Sequence, residues 1–191
     1  MKLFLVRHGQ TTGNLGTTFT GQRDVPLTDE GRRQAESIRP ILEKIAFDRV
    51  YSSDLSRAVD TQLIAVPGVQ GIRTPLLREV DVGRIEGQLY AQVRIDNPGW
   101  SATVDGYARF GGETSQQICD RVRAFLRELE SNPCENVVAF VHNGIMGTMM
   151  SIVLDTFFDR SVLRTNNCAI NVFDFDGSKW RLLAWNYKGD V

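Results

Sequence analysis

The stretch LFLVRHGQTTGN, residues 3–14, joins a fully apolar segment to a turn that is rich in glycine and threonine. Such a segment, ahead of a polar turn, is typical of a strand that is buried on both faces, as in the parallel sheets of α/β proteins. His8 stands at the end of this segment, with Arg7 before it and Gly9 after it. Ligands of open α/β sheets bind outside the carboxyl ends of the strands. The stretch therefore predicts an α/β fold with His8 at the binding edge of the sheet.

The other histidine of the chain, His142, occupies a matching position. It follows the apolar run VVAFV, residues 137–141, and precedes Asn143 and Gly144. A single histidine at the end of a strand is about as often a capping residue as a functional one. The repeated placement favours the functional interpretation, because both histidines are expected at the same edge of the sheet.

Helical spacing appears in three further segments. Thr28 is expected to cap a helix whose apolar stripe runs from Ala35 to Ile45, and Pro40 is expected to kink or split that helix. Ser53 is expected to cap a helix over residues 54–65. Thr114 opens a predicted capping box and a helix that follows it.

Strands are predicted between and after these helices. They cover residues 49–52, 72–74, 168–175 and 180–185, and Asp176-Gly177 is a hairpin signal between the last two. Residues 80–112 show no sustained period and are rich in glycine, a pattern that is usually functional or disordered. The order of elements predicts one domain over residues 1–191, in which residues 80–112 form a cap or loop segment over the site.

Composition excludes several classes of protein. The net charge of −1 offers no general attraction to nucleic acid or anionic lipid. No apolar stretch approaches the length of a signal-peptide core or a membrane span. Cys119, Cys134 and Cys168 are an odd, scattered set, which argues against a disulfide framework and a zinc site. We expect a reduced, cytoplasmic protein.

The residues around His8 suit a nucleophile in an anion pocket. A neutral imidazole attacks phosphorus readily, and the Arg7 guanidinium matches phosphoryl oxygens. Gly9 and Gly13 allow close approach of the backbone, and Asn14 could donate its amide hydrogen. Arg57 lies in the first turn of a predicted helix, where anions already bind well. The alternative is a buried histidine that is satisfied by a backbone carbonyl, and the clustered Arg, Gly and Asn residues weigh against it.

Five blocks in this order resemble the histidine phosphatase superfamily, the phosphoglycerate mutase-like enzymes, over residues 3 to about 155. They are RHG with Asn14, PLT at residues 26–28, SSDLSRA at residues 52–58, LRE at residues 77–79, and His142 with Gly144. The resemblance implies a three-layer α/β sandwich, with a mainly parallel sheet, helices on both faces and the site at the carboxyl ends of the strands.

The resemblance also implies roles for single residues. His8 would become phosphohistidine, while Arg7, Arg57, Asn14 and His142 would hold the phosphoryl group. Glu79 would protonate the leaving oxygen, and Glu86 is its competitor, although its Glu-Gly context is more typical of a turn or support position. No metal or organic cofactor is expected. The sides of the pocket are expected from residues 80–112 and from Thr20, Gly21, Gln22, Arg23, Asn143 and Gly144.

Three functions remain open at this point. The short region between Glu79 and His142 favours a phosphomonoesterase that acts on a small phosphorylated metabolite over a 2,3-bisphosphoglycerate-dependent mutase. A catalytically weak binding or regulatory homologue is the third, because Val141 and Asn143 depart from the usual pattern around His142. The substrate is not identified, since the expected pocket walls contain both aromatic and arginine residues. The oligomeric state is equally open.

Overall fold

A computed structural model describes residues 1–156, 165–187 and 189. Six strands lie within these residues: β1 (Lys2–Arg7), β2 (Arg49–Ser53), β3 (Ile72–Thr74), β4 (Asn136–Val141), β5 (Ile170–Phe175) and β6 (Trp180–Tyr187). They form one mixed sheet in the order β3-β2-β4-β1-β5-β6. The four strands β3, β2, β4 and β1 are mutually parallel, and β5 and β6 are antiparallel additions next to β1.

Helices cover both faces of the sheet, as predicted. Alternate side chains of β1 point to opposite faces, so Phe4 packs with α2 and α3 while Leu3 packs with α5 and α6. This confirms the predicted α/β class with a mainly parallel sheet. The helices are α1 (Thr12–Leu15), α2 (Asp29–Leu42), α3 (Ser56–Ala65), α4 (Tyr90–Asp96), α5 (Ser115–Ser131) and α6 (Asn143–Val153).

The register of β1 and β4 brings the two histidines together. Arg7 lies opposite Val141 in this parallel pair, so each strand delivers its histidine at the same level. The His8 backbone N–H donates to the Val141 carbonyl over 3.0 Å. The centroids of the His8 and His142 rings are 5.1 Å apart.

Two helix starts agree with the sequence predictions, and two details do not. Thr28 caps α2, and Thr114 forms the predicted capping box of α5. The predicted split at Pro40 is wrong, because α2 continues to Leu42 and the proline falls in its last turn, where few hydrogen bonds depend on it. Ser53 does not cap α3: that helix begins at Ser56, and the Ser53 hydroxyl accepts from the Leu55 N–H in the preceding turn.

The segment 80–112 contains short helical turns around a small apolar cluster. Helix α4 lies within it, with single 3-10 turns at Gly83–Ile85 and Ala108–Phe110. Val93 and Phe110 pack there with Phe19.

The hairpin predicted at residues 176–177 joins β5 to β6. No helix among the described residues combines the length and apolar character that crossing a membrane requires.

Candidate active site

His8 is held as a neutral imidazole with one nitrogen free. Its Nδ1 lies 2.7 Å from the Gly9 carbonyl, so this nitrogen carries the proton and donates it. No hydrogen bond reaches Nε2 from any residue that the structure describes. Burial lowers the pKa of His8 well below its usual range, and the nearby charges of Arg57 and Arg7 lower it further. The Nε2 lone pair is therefore available at neutral pH.

Two glycines fix the turn that carries His8. A Cβ on Gly9 would lie 2.4 Å from the Gly31 carbonyl oxygen, and a Cβ on Gly31 would lie 2.1 Å from the Gln10 oxygen. The turn therefore packs backbone against backbone at the start of α2. The Gly9 N–H also donates to the Thr61 hydroxyl over 3.0 Å, which ties the turn to α3.

Arg7 lines the cavity and is anchored at one side of its guanidinium. One terminal nitrogen donates to the Thr165 carbonyl. Its Nε is buried and has no partner among the described residues. The terminal nitrogens carry further N–H groups that suit the oxygens of an anion. Asn14 stands nearby with its Oδ1 occupied by Thr11 and Asn167, which leaves its amide N–H groups to donate.

Arg57 is almost fully buried, and three groups aim it. Its terminal nitrogens donate to the carbonyls of Arg23 and Gly21 over 2.9 and 2.8 Å. Its Nε donates to His142 Nδ1 over 3.2 Å. Burial lowers the pKa of Arg57, and the charge of Glu79 opposes that change. One N–H on each terminal nitrogen remains for a further acceptor.

His142 supports Arg57 from behind. The ring is fully buried, and its Nε2 lies 2.9 Å from the Ser53 hydroxyl. Since Nδ1 accepts from Arg57, the proton resides on Nε2. Burial and the Arg57 charge lower the pKa of His142 well below its usual range. His142 is not among the described residues that line the cavity, and its described contacts are with Arg57 and Ser53. Its predicted hold on a phosphoryl group stays a prediction.

Glu79 lines the same cavity as His8, Arg7 and Arg57. Its Oε1 accepts from the Val80 N–H over 2.9 Å and from the Gly144 N–H over 3.1 Å, at the start of α6. Gly144 is required for this contact, because a Cβ there would lie 2.2 Å from Oε1. The more weakly bonded oxygen, Oε2, is 3.3 Å from the Gly144 nitrogen.

A partly buried ion pair holds the Glu79 segment in place. Arg121 of α5 donates to the carbonyls of Leu76 and Arg78 over 2.9 and 2.8 Å. The same guanidinium forms two bonds with Glu113, whose carboxylate accepts from the Asp81 N–H. Backbone on both sides of Glu79 is thereby fixed. This ion pair is not predictable from the sequence, because Arg121 has the position of an ordinary charged residue on the outer face of an amphipathic helix.

Glu86 is a support residue, in agreement with its Glu-Gly context. Its Oε1 accepts from the N–H groups of Gln22 and Arg23 over 2.8 and 3.2 Å. These three side chains are not among the described residues that line the cavity. Gln22 instead donates to the Glu79 carbonyl, and the Arg23 carbonyl accepts from Arg57. Gln22 and Arg23 therefore help to build the site, and their predicted substrate contacts stay a prediction.

The remaining predicted site residues meet at one cavity of about 1010 Å³. Its lining contains a single carboxylate, that of Glu79, and the described residues that surround it include three arginines. A cavity of that charge favours an anion. Among the residues that the structure describes, no group of three His, Cys, Asp or Glu side chains could hold a metal ion. The predicted residues in the lining are Arg7, His8, Asn14, Thr20, Gly21, Arg57, Glu79, Asn143 and Gly144.

Sequence comparisons give one family over almost the whole chain. A model described as the histidine phosphatase superfamily (branch 1) matches residues 3–188. Proteins named probable phosphoglycerate mutase GpmB from Proteus mirabilis and Salmonella paratyphi A are 31% and 32% identical to the chain. Each match covers 100% of this chain and 94% of the relative.

Two solved structures with the same architecture are phosphatases by name. A mycobacterial glucosyl-3-phosphoglycerate phosphatase in complex with VO3 aligns with a TM-score of 0.87 and 29% identity, covering 98% of this chain and 99% of that one. A putative α-ribazole-5′-P phosphatase from Escherichia coli str. K-12 substr. MG1655 aligns with a TM-score of 0.84 and 25% identity, covering 98% and 96%.

Proposed function

The chain belongs to the histidine phosphatase superfamily, branch 1, and on that premise we propose that it hydrolyses a small phosphate monoester through a phosphohistidine on His8. One observation carries the proposal. The His8 Nδ1–H is fixed on the Gly9 carbonyl, Nε2 has no described partner, and Arg7 and Arg57 line the same cavity. A nucleophile and two guanidinium groups that can bind an anion therefore line one cavity.

The first step transfers the phosphoryl group to the enzyme. The Nε2 lone pair of His8 forms a bond to phosphorus, and the bond from phosphorus to the ester oxygen breaks. Arg7 and Arg57 neutralise the oxygens of the transferred group, which is the main catalytic requirement of phosphoryl transfer. Glu79, protonated on Oε2, gives its proton to the departing oxygen. An alcohol leaves, and Glu79 becomes a carboxylate.

The second step returns the enzyme to its starting state. Water attacks the phosphorus of phosphohistidine while the Glu79 carboxylate takes one of its protons. The bond from phosphorus to Nε2 breaks, and inorganic phosphate leaves. Dividing the reaction in this way avoids direct attack of water on the ester.

His142 acts in this scheme as a positioning residue. Its neutral ring accepts from Arg57 Nε and is itself held by the Ser53 hydroxyl. This contact orients the Arg57 guanidinium so that its remaining N–H groups face the cavity. The neutral ring also leaves the positive charge of the site on Arg7 and Arg57.

A second candidate is phosphoglycerate mutase activity, which the names of the GpmB relatives favour. A mutase must also bind the second phosphoryl group of a bisphosphate, which needs cations far from His8. Arg94 is the one cation among the described lining residues outside the His8 end, and most of its neighbours there are aromatic or apolar. This distribution supports hydrolysis. The odd, scattered set of Cys119, Cys134 and Cys168 supports a cytoplasmic location.

The proposal is tested with phosphoglycerate plus a trace of bisphosphoglycerate, alongside phenyl phosphate. Release of inorganic phosphate from both, abolished in His8→Ala, is the expected result. Isomerised phosphoglycerate without release of phosphate would establish the mutase instead. If phosphate binds but nothing turns over, the chain is a binding homologue. Near-normal turnover by His8→Ala would show that His8 is not the nucleophile.

A further inference from the structure

The cavity is far larger than a phosphoryl group, and its two ends differ in chemistry. Arg7, His8, Arg57 and Glu79 gather at one end, which we call the phosphoryl end. At about 1010 Å³ the whole cavity matches the upper range of pockets that enclose drug-sized ligands. Most of its volume therefore remains for the alcohol part of the ester.

Four aromatic side chains form the far wall. Phe19 meets Tyr90 edge-on at 4.4 Å between ring centroids, and Trp100 meets Tyr107 at 5.5 Å. The Trp100 indole N–H donates to the Gly106 carbonyl over 2.8 Å, which fixes the plane of its ring. Phe19 and Tyr107 are buried, so Tyr90 and Trp100 supply the exposed aromatic surface. The wall is preformed, and a ligand ring that packs on it orders few side chains.

Tyr90 joins the wall to the phosphoryl end. It is the first residue of α4, and its backbone N–H donates to the Thr17 carbonyl. Burial and the Glu79 charge raise the pKa of Tyr90, while Arg7 opposes that change. Tyr90 lines the cavity together with Glu79 and Arg7 and lies within electrostatic reach of both. A group attached to the ester oxygen that Glu79 protonates would share this cavity with the rings of Tyr90 and Trp100.

The charges of the residues along the aromatic wall further restrict the chemical class of the leaving group. No carboxylate of the described residues lines that end, and Arg94 is the cation there. Asn97 adds a neutral polar group nearby. We infer that the substrate is the phosphate monoester of a ring-bearing alcohol, whose ring packs against Tyr90 and Trp100. This inference rests on the proposed hydrolysis of a monoester.

Phenyl phosphate and 2-naphthyl phosphate provide a matched pair of probes. Phenol and 2-naphthol are similar in acidity, so their leaving abilities are alike and the comparison reports the area of ring contact. The expected kcat/KM is higher for the naphthyl ester by roughly 2- to 13-fold, the ratio that corresponds to ~0.5–1.5 kcal/mol for one aromatic contact. The Tyr90→Leu and Trp100→Leu variants should each reduce this preference, whereas Tyr90→Phe, which keeps the ring, should retain it.

The possible outcomes distinguish failure of the proposed aromatic subsite from failure of the proposed hydrolysis. Loss of the naphthyl preference in both Leu variants, with the preference kept in Tyr90→Phe, supports the inference. Absence of a preference in the unaltered protein, or equal losses on both esters in the Leu variants, overturns it while phosphatase activity stands. Turnover of neither ester by the unaltered protein would refute the proposed hydrolysis itself. Thermal unfolding of each variant verifies its fold, and the exposed Tyr90 gives the substitution least harmful to packing.

Discussion

Replacing Glu79 by Gln should slow the hydrolysis of alkyl phosphates much more than that of nitrophenyl phosphate. An alkoxide must receive a proton as it departs, whereas nitrophenolate is stable enough to leave unaided. Glutamine suits this site because its Oε1 can keep the bonds from the Val80 and Gly144 N–H groups. Its amide nitrogen then replaces Oε2, the oxygen to which we assign the transferred proton. The substitution removes the proton and little else.

The size of the effect follows from the chemistry of that proton. General acid catalysis contributes about 10²- to 10⁴-fold, so kcat/KM for an alkyl phosphate should fall by that factor. For p-nitrophenyl phosphate we expect a loss below about tenfold. Steady-state kinetics on both esters measures the two losses. Glu86→Gln is the matched control, because in the described part of the chain Glu86 accepts from the backbone N–H groups of Gln22 and Arg23, outside the cavity lining. Equal losses on both esters would remove Glu79 from the role of acid, and a selective loss in Glu86→Gln would transfer that role.

Four further predictions follow from contacts in the site. Gly144→Ala places a Cβ 2.2 Å from Glu79 Oε1, so displacement of the acid should lower kcat/KM for alkyl phosphates by about 10²-fold, and unchanged kinetics would contradict the required close approach. Arg57→Lys cannot reach His142, Gly21 and Arg23 together, so its kcat should fall at least about tenfold. Ser53→Ala should cause a smaller loss of kcat, because Ser53 contacts Arg57 only through His142 among the described hydrogen bonds. A larger loss in Ser53→Ala than in Arg57→Lys would argue against this chain of contacts. His8 and His142 have pKa values well below 6.5 in the folded protein, whereas the unfolded chain takes up these protons near pH 6.5, so their contribution to the free energy of unfolding is complete above that pH and is lost as pH falls below it. Urea unfolding at about pH 7.5 and 5.5 should therefore show a smaller loss in His8→Asn than in the unaltered protein, and parallel losses would refute the lowered pKa of His8. Turnover should persist in a chelator, because Arg7 and Arg57 supply the charge that a metal would; activity lost in chelator and restored by a divalent ion would contradict this.

Local sequence patterns predict the framework of the site well. The apolar runs ending at Val6 and Val141 predict buried strands, and parallel pairing then places His8 beside His142 without further information. The caps at Thr28 and Thr114 depend on residues only three positions away, which explains why they are readable from sequence. The family motifs add Arg57 and Glu79, which the fold brings to the same cavity.

Contacts between distant segments are not predictable in the same way. Ser53 has the residue type of a helix cap, yet its hydroxyl meets His142, 89 positions along the chain. The backbone N–H groups of Gln22 and Arg23 donate to Glu86, more than 60 positions along the chain, and only the fold shows this contact. Arg121 and Glu113 are ordinary charged residues until α5 packs behind Glu79. A single sequence holds no local signal for these pairs, because tertiary packing creates them.

The central claim is that His8 carries the phosphoryl group during turnover. The most direct measurement mixes the protein with substrate, stops the reaction within milliseconds in alkaline denaturant, where phosphohistidine survives, and maps the modified peptide by mass spectrometry. We expect one added phosphoryl group on the peptide that contains His8. It should be absent from His8→Ala and should accumulate when release of the leaving group is faster than hydrolysis. Rapid release of phosphate with no modified peptide at any time, under conditions that preserve a phosphohistidine standard, would contradict it.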